Sequence, residues 1–271
     1  MRGYVDTDWG QLHYRHSGPT AAAARDVVVL LHESPRSSIV YQPVLDRLGE
    51  KAAVYAFDTP GFGSSDSAPA GAVLADYARI FVQALDALGV ESFVPVGMKT
   101  GSSLATAIAA TVRGTGRVER MVLYGLSEPS TRDSEHWAQN WAPELEVTAD
   151  GAIFGHLWRK NVGIYGIECP GQLAQCVAET VVNLDRYNSI YPAVFRGHQQ
   201  TWDDNLALIA DGVAVTVLEP TEAQMTPDVP IEFVHVPGTK VVKMPVNGQF
   251  AVRAPDAFVE AVLDAALAAR A

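Results

Sequence analysis

The sequence is poor in positive charge, and this argues against one broad class of partner. Its 271 residues include 20 Lys and Arg against 31 Asp and Glu, which gives a formal net charge of −11. A general nucleic-acid binder needs the opposite balance, because it gains affinity by neutralising phosphates. No basic stripe appears along the chain, so we expect no nucleic-acid partner.

Long apolar runs and cysteines are also scarce. No stretch approaches the roughly 18 uncharged apolar residues that a membrane span requires, and residues 1–18 lack the apolar segment of a secretory signal. The two cysteines, Cys169 and Cys176, fit neither a C-x-x-C redox motif nor a zinc site, so we expect reduced thiols. These features together predict a cytoplasmic protein without a membrane partner.

The sequence does contain a regular alternation of apolar runs and amphipathic stretches. Short runs rich in Val, Ile and Leu predict buried strands, and spacings of three and four between apolar residues predict helices. The predicted strands are 27–32, 52–57, 93–97 and 120–125, and the predicted helices between them are 38–49, 74–89 and 100–113. This order predicts an α/β fold with a mostly parallel sheet that has helices on both faces.

The alternation stops at about residue 126. Residues 127–205 are rich in Trp, Tyr and His and carry two apolar helical patterns, near 171–184 and 187–196. The alternation then resumes with predicted strands at 213–218 and 231–236 and a helix over 255–269. We therefore predict a core formed by residues 1–126 and 206–271, interrupted by a helical cap of residues 127–205.

Three motifs follow predicted strands in a recognisable order. They are LLHESPRSS (30–38), FDTPGFGSSD (57–66) and VGMKTG (96–101). Together they resemble the oxyanion loop, the D-x-P-G-x-G-x-S-D loop and the nucleophile elbow of the α/β-hydrolase superfamily, particularly its capped haloalkane dehalogenase and epoxide hydrolase branch. The resemblance implies an α/β-hydrolase fold with a cap, and no metal or organic cofactor.

The chain departs from this family pattern at the catalytic positions. Lys99 stands where the resemblance implies a Ser, Asp or Cys nucleophile, and Glu33 replaces the usual Gly after His32. Gln249 stands where the catalytic His is expected, and the acid loop leaves Glu222 as a candidate carboxylate. Ordinary Ser–His–Asp hydrolysis is therefore not expected, because the nucleophile and the general base are both missing.

Lys99 is the leading candidate for the chemistry, and its protonation state is open at this stage. The helix N-terminus and burial lower the pKa of an amine, whereas a neighbouring Glu33 carboxylate raises it. A neutral Lys99 could attack a carbonyl or act as a general base, with Glu33 as the acid. The competing interpretation is a buried Lys99–Glu33 ion pair that fills an inactive site.

Further site residues follow from the resemblance. The backbone N–H groups of Glu33 or Ser34 and of Thr100 would form the oxyanion hole. Gln249 would position the substrate by hydrogen bonds. The expected pocket residues are His32, Met98, Trp137, Trp141, Trp158, Tyr187 and Tyr191.

Three functions remain open from the sequence. The first is an enzyme that acts through Lys99 on a small, largely apolar carbonyl compound, by C–C cleavage, retro-aldol-like chemistry, or ester or lactone hydrolysis. The second is a ligand-binding protein without catalysis, and the third is a cofactor-free cyclase or isomerase of a biosynthetic pathway. The expected partner is a small-molecule substrate, and a homodimer is the assembly considered.

Overall fold

The computed structural model describes residues 1–126, 133–221 and 236–267. Within this part of the chain, eight strands form one sheet in the order β1-β2-β4-β3-β5-β6-β7-β8. β2 pairs antiparallel with β1 on one side and with β4 on the other. The remaining neighbouring pairs, from β4 across the sheet to β8, are parallel. The strands are β1 (Arg2–Thr7), β2 (Gly10–Ser17), β3 (Val27–Leu31), β4 (Ala53–Phe57), β5 (Val94–Met98), β6 (Arg120–Tyr124), β7 (Ala214–Pro220) and β8 (Lys240–Met244).

Helices cover both faces of this sheet and fill the interval between β6 and β7. Those that follow single strands or close the chain are α1 (Gln42–Gly49), α2 (Leu74–Ala87), α3 (Thr100–Thr111), α9 (Phe250–Arg253) and α10 (Pro255–Leu267). Those of the interval are α4 (Ser134–Asn140), α5 (Ala152–Tyr165), α6 (Pro170–Val182), α7 (Tyr191–Arg196) and α8 (His198–Ala210). A short 3-10 helix, Ser38–Tyr41, precedes α1.

The apolar runs form strands because both of their faces are buried. Every residue of β3, β4 and β5 is buried, as expected for central parallel strands covered by helices. One face packs against α2 and α3, and the other packs against α1 and α10. The carboxyl ends of the parallel strands therefore meet at one edge, where ligands bind in open α/β sheets.

The predicted α/β fold is confirmed, with differences at its edges. The four predicted strands before residue 126 agree with β3 to β6 within about one residue. The pair β1 and β2 and the strand β8 were not predicted, because these strands mix polar with apolar residues. β1 and β8 are the two edges of the sheet, and β2 lies between β1 and β4. The predicted strand 231–236 lies outside the described residues except for Val236.

The predicted cap contains four complete helices, and its end falls inside a fifth. Helix α8 is continuous across residues 205 and 206, and its Asn205 donates from Nδ2 to the hydroxyl of Thr106 on α3, 3.1 Å away. The helix predicted over 187–196 begins only at Tyr191. The division into core and cap stays a prediction.

The described residues form neither a membrane-spanning helix nor a cluster of metal ligands. Over 1–126, 133–221 and 236–267, no helix has the length and apolar character needed to cross a bilayer. The same residues contain no cluster of three or more His, Cys, Asp or Glu side chains arranged to hold a metal ion.

Candidate active site

Lys99 lies on a sharp turn between β5 and α3. Its backbone has φ 52° and ψ −110°, a conformation that a non-glycine residue adopts only at an energetic cost. A Cβ atom at Gly97 would lie 2.3 Å from the carbonyl oxygen of Gly101, and one at Gly101 would lie 2.2 Å from that of Leu31. Both glycines are therefore required for the turn that presents Lys99 at the carboxyl edge of the sheet.

The Lys99 side chain forms an ion pair with Glu33, which follows β3. Its Nζ lies 2.8 Å from Glu33 Oε2, and the side chains are 21% and 7% exposed. Tyr165 at the end of α5 joins the two groups, because its hydroxyl accepts from Lys99 Nζ at 3.3 Å and donates to Glu33 Oε1 at 3.2 Å. The three side chains form one hydrogen-bonded network across β3, β5 and the interval helices.

The network stabilises the charged forms of both members of the ion pair. Burial opposes the charge on Lys99, but the Glu33 carboxylate outweighs it and raises the pKa of Lys99. Burial likewise opposes the charge on Glu33, and the Lys99 ammonium lowers the pKa of that carboxyl. Burial raises the pKa of Tyr165 well above its usual value, so this hydroxyl stays neutral. The resting site therefore holds an ammonium, a carboxylate and a phenol.

A cavity of about 530 Å³ opens onto this network. Glu33, Lys99 and Tyr165 line it together with apolar and aromatic side chains of α4, α5, α7 and α8. Its size falls within the range of about 300–1,000 Å³ that holds small-molecule ligands. The ion pair therefore faces a space large enough for a substrate.

Most of the expected pocket residues lie on this cavity. Trp137, Trp141, Tyr187 and Tyr191 all line it. The tryptophans also pack against Phe195, so they belong to a small apolar cluster as well as to the cavity wall. The Tyr191 hydroxyl donates to the carbonyl oxygen of Ser34 at 2.8 Å, which ties α7 to the loop after β3.

Three expected pocket residues do not line the cavity, and this corrects the sequence-based expectation. His32 is fully buried below the loop, where Nε2 accepts from the backbone N–H of Thr59 at 3.0 Å. Met98 packs inward from β5 into the apolar core. Trp158 packs against the apolar cluster of Ile153, Leu157 and Val177 and is not among the cavity-lining residues.

The expected oxyanion donors come together, but one is already used. The backbone N–H of Ser34 donates to the hydroxyl oxygen of Thr100 at 2.7 Å, and that hydroxyl donates to Ser34 Oγ at 3.1 Å. Ser34 and Thr100 both line the cavity. A substrate oxygen would have to displace the Thr100 hydroxyl to reach the Ser34 N–H.

Gln249 supports Glu33 from outside the cavity wall. Its backbone has φ 49°, and its amide contacts the side chains of Gln172 and Cys176 on α6. A hydrogen bond from Gln249 helps to lower the pKa of Glu33. Gln249 is not among the cavity-lining residues, and its role in positioning a substrate stays a prediction. Glu222 lies outside the described residues.

Sequence reasoning missed two residues of the site. Tyr165 bridges the ion pair but lies in the aromatic-rich interval, where no motif separates it from the other aromatic residues. Arg36 belongs to the quoted motif 30–38 and lines the cavity. Its guanidinium donates from Nη1 to the Cys176 carbonyl oxygen at 2.7 Å and from Nη2 to Asn161 Oδ1 at 3.0 Å. The sequence signal that could have found Arg36 is its position inside the motif 30–38, directly after a predicted buried strand.

Comparison with solved structures supports the same fold across nearly the whole chain. An enol-lactonase from Burkholderia xenovorans aligns with a TM-score of 0.72 at 18% identity, covering 97% of this chain and 98% of that one. A hydrolase from Pseudomonas aeruginosa aligns with a TM-score of 0.74 at 20% identity, covering 99% and 98%. An esterase from a Rhodococcus species aligns with a TM-score of 0.70 at 22% identity, covering 96% of each chain.

Similarity to curated proteins is more local. Haloalkane dehalogenase 2 of Mycobacterium bovis is 26% identical over 121 residues, and the match covers 44% of this chain and 40% of the dehalogenase. The chain thus matches less than half the length of this relative. The alpha/beta hydrolase fold family model matches residues 26–161, which is half of the chain and includes the turn that carries Lys99. The chain therefore belongs to the alpha/beta hydrolase fold family.

Proposed function

We propose that the chain is a hydrolase of small, largely apolar esters or lactones, and that the Lys99–Glu33 pair carries out the reaction. The observation that carries the proposal is the 2.8 Å contact between Lys99 Nζ and Glu33 Oε2 at the wall of a 530 Å³ cavity. An ion pair that served only the stability of the fold would not need to line a cavity of this size. Membership of the family and the lactonase, esterase and hydrolase structural neighbours support this reaction class.

The charges of the resting pair assign a role to each partner. The Lys99 ammonium donates a hydrogen bond to the substrate carbonyl oxygen and stabilises the negative charge that develops there. The Glu33 carboxylate accepts a proton from a water molecule, whose oxygen then bonds to the carbonyl carbon. These roles reverse the sequence-based version, in which Lys99 is the base and Glu33 the acid, because the pKa of Lys99 is raised and that of Glu33 is lowered.

Collapse of the addition product completes the reaction. The bond between the carbonyl carbon and the leaving alkoxide breaks, and the proton held by Glu33 passes to the alkoxide oxygen. The products are a carboxylic acid and an alcohol, or a hydroxy acid when the substrate is a lactone. The Tyr165 hydroxyl holds the two reacting groups in register, since it hydrogen-bonds to both.

Kinetics on a panel of short-chain esters and lactones tests this function. We expect Lys99→Met and Glu33→Gln each to lower kcat by at least about 100-fold, the range for removing a group that stabilises or transfers charge in the transition state. Lys51→Met is the matched control, because Lys51 follows α1 and its side chain is exposed to solvent. Unchanged turnover in Lys99→Met would refute the proposal.

One observation favours binding without catalysis as the alternative. The Thr100 hydroxyl occupies the Ser34 N–H, so an oxyanion hole built from that group is closed in the resting structure. Under this alternative, wild-type protein binds esters or lactones tightly and returns them unchanged after long incubation.

A further inference from the structure

The described residues that line the cavity carry more positive than negative charge. In the part of the chain that the structure describes, the charged lining residues are Glu33, Lys99, Arg36 and Lys160. Glu33 and Lys99 neutralise each other in their ion pair. Arg36 and Lys160 remain as a surplus of positive charge, within a protein whose net charge is −11.

Arg36 is a buried cation whose hydrogen-bond acceptors are neutral. Its residue is 5% exposed, and its guanidinium donates to the Cys176 carbonyl oxygen and the Asn161 side-chain oxygen. Among the described residues, no carboxylate lies within ion-pair distance of it. Burial opposes the charge on Arg36, but the surrounding groups, Glu179 and Glu33 among them, raise its pKa. Burial raises the pKa of Glu179 to about 7, so this carboxyl is only partly charged at neutral pH.

Lys160 is the second cation, one residue before Asn161 on α5. It lines the cavity and is also exposed at the surface, so it lies where the cavity meets solvent. Within the described ranges it too has no carboxylate at ion-pair distance. Desolvation and the charge of Arg36 both lower its pKa, and both side chains line the same cavity.

Arg36 and Lys160 place two positive charges on one cavity wall, and among the described residues neither forms an ion pair with a carboxylate. An anionic group of a ligand in this part of the cavity would interact favourably with both. We propose that Arg36 and Lys160 bind a carboxylate carried by the substrate, while the substrate carbonyl lies against Lys99. This assignment rests on the proposed function for its orientation, and it narrows the substrate to an ester or lactone that bears a carboxylate on an apolar body.

A carboxylate suits both cations. Nη1 and Nη2 of Arg36 each donate one hydrogen bond to a protein oxygen, which leaves the remaining guanidinium N–H groups and the charge for a ligand, and the Lys160 ammonium adds a compact charge. The rest of the lining is mainly apolar and aromatic, with Trp137, Trp141 and Trp202 among its members. An apolar body with one acidic end therefore satisfies both parts of the cavity.

Binding of an unreactive pair of compounds tests the proposal without turnover. Quenching of tryptophan fluorescence reports binding, because three tryptophans line the cavity. We expect 4-phenylbutyrate to bind at least about tenfold more tightly than 4-phenylbutyramide, which has the same shape and no charge. Raising the salt concentration should reduce this preference.

Variants assign the preference to these two cations. Lys160→Gln should reduce the carboxylate preference at least about fivefold, while Arg159→Gln, which removes the preceding exposed charge on the same helix, should leave it unchanged. Arg36→Lys keeps the charge and loses the fork, so it should weaken binding of the carboxylate more than of the amide.

Equal affinity for the two compounds, failure of both to bind, or an unchanged preference in Lys160→Gln would overturn the proposal. Its failure is distinct from failure of the proposed function. A carboxylate preference in a protein that hydrolyses nothing would refute the hydrolase and leave this binding site in place.

Discussion

At the residue scale, the charge on Lys99 depends on a balance between burial and one neighbour. Burial is the largest single influence and acts against the ammonium, yet the nearby Glu33 carboxylate reverses the direction of the pKa shift. Lys99 is therefore suited to polarising a carbonyl, and a neutral amine that forms a Schiff base is disfavoured in the resting protein.

Removal of the Glu33 charge should convert Lys99 into a reactive amine. In Glu33→Gln the burial of Lys99 is no longer opposed by a carboxylate, so the pKa of Lys99 falls. We expect propanal and cyanoborohydride at pH 8 to label Lys99 of this variant at least about tenfold faster than Lys99 of the wild type, because a larger fraction of its amine is neutral. Site-resolved mass spectrometry measures the labelling, with Lys51 of the same chain as the internal reference. Equal labelling in both proteins would show that Glu33 does not control the charge.

At the element scale, the turn between β5 and α3 depends on two glycines. A Cβ at Gly101 would lie 2.2 Å from the backbone oxygen of Leu31, a neighbour that cannot rotate away. We expect Gly101→Ala to lower the free energy of unfolding by roughly 2–4 kcal/mol, as measured by urea denaturation. In Gly171→Ala, at the start of α6, the new methyl group meets nothing within 4 Å, so stability should change by less than about 1 kcal/mol. A similar loss in both variants would contradict this account of the turn.

The contact between α6 and the loop after β3 should make stability depend on pH. Burial raises the pKa of Glu179 on α6 to about 7 from its usual 4.5, against the opposing charge of Arg36 and the hydrogen bond from Ser37. The folded state thus holds this proton more tightly than the unfolded state, so the protein loses stability as the pH rises from about 4.5 to 7. The loss from this group is at most about 3 kcal/mol.

Glu179→Gln should remove that loss, because the amide keeps an acceptor for the Ser37 hydroxyl and has no charge to bury. We expect the variant to be more stable than the wild type at pH 8 and nearly equal to it at pH 4.5, as followed by thermal unfolding. Glu135→Gln is the control, since Glu135 is paired with Arg196 on the surface. A constant stability difference between the wild type and Glu179→Gln at both pH values would exclude titration of Glu179 as the cause.

At the scale of the whole molecule, the sequence predicts the order of elements best where the strands are completely buried. The central strands β3 to β6 are continuous apolar runs, and their prediction is confirmed. The edge strands β1 and β8 and the neighbouring strand β2 mix polar with apolar residues. Their pairing depends on neighbours distant in sequence, and no local pattern predicts it.

The candidate site was predictable only where motif and backbone coincide. Lys99 and Glu33 follow adjacent strands, so their contact follows from the α/β topology. Tyr165 reaches the site from the end of α5. Arg36 reaches it from the loop after β3, where its guanidinium contacts α5 and α6. His32, Met98 and Trp158 show the reverse case. Each is close to the site in sequence or composition, but its side chain is buried below the loop or packs in an apolar cluster and does not line the cavity.

The charge of Lys99 in the ligand-free protein is the most direct test of the account as a whole, because the roles of both partners depend on it. An NMR titration of the Lys99 side-chain nitrogen in the wild-type protein measures it without any substrate. The account predicts a midpoint above the ordinary value of 10.5. A midpoint near or below about 8, the range of lysines that act as neutral bases, would contradict it.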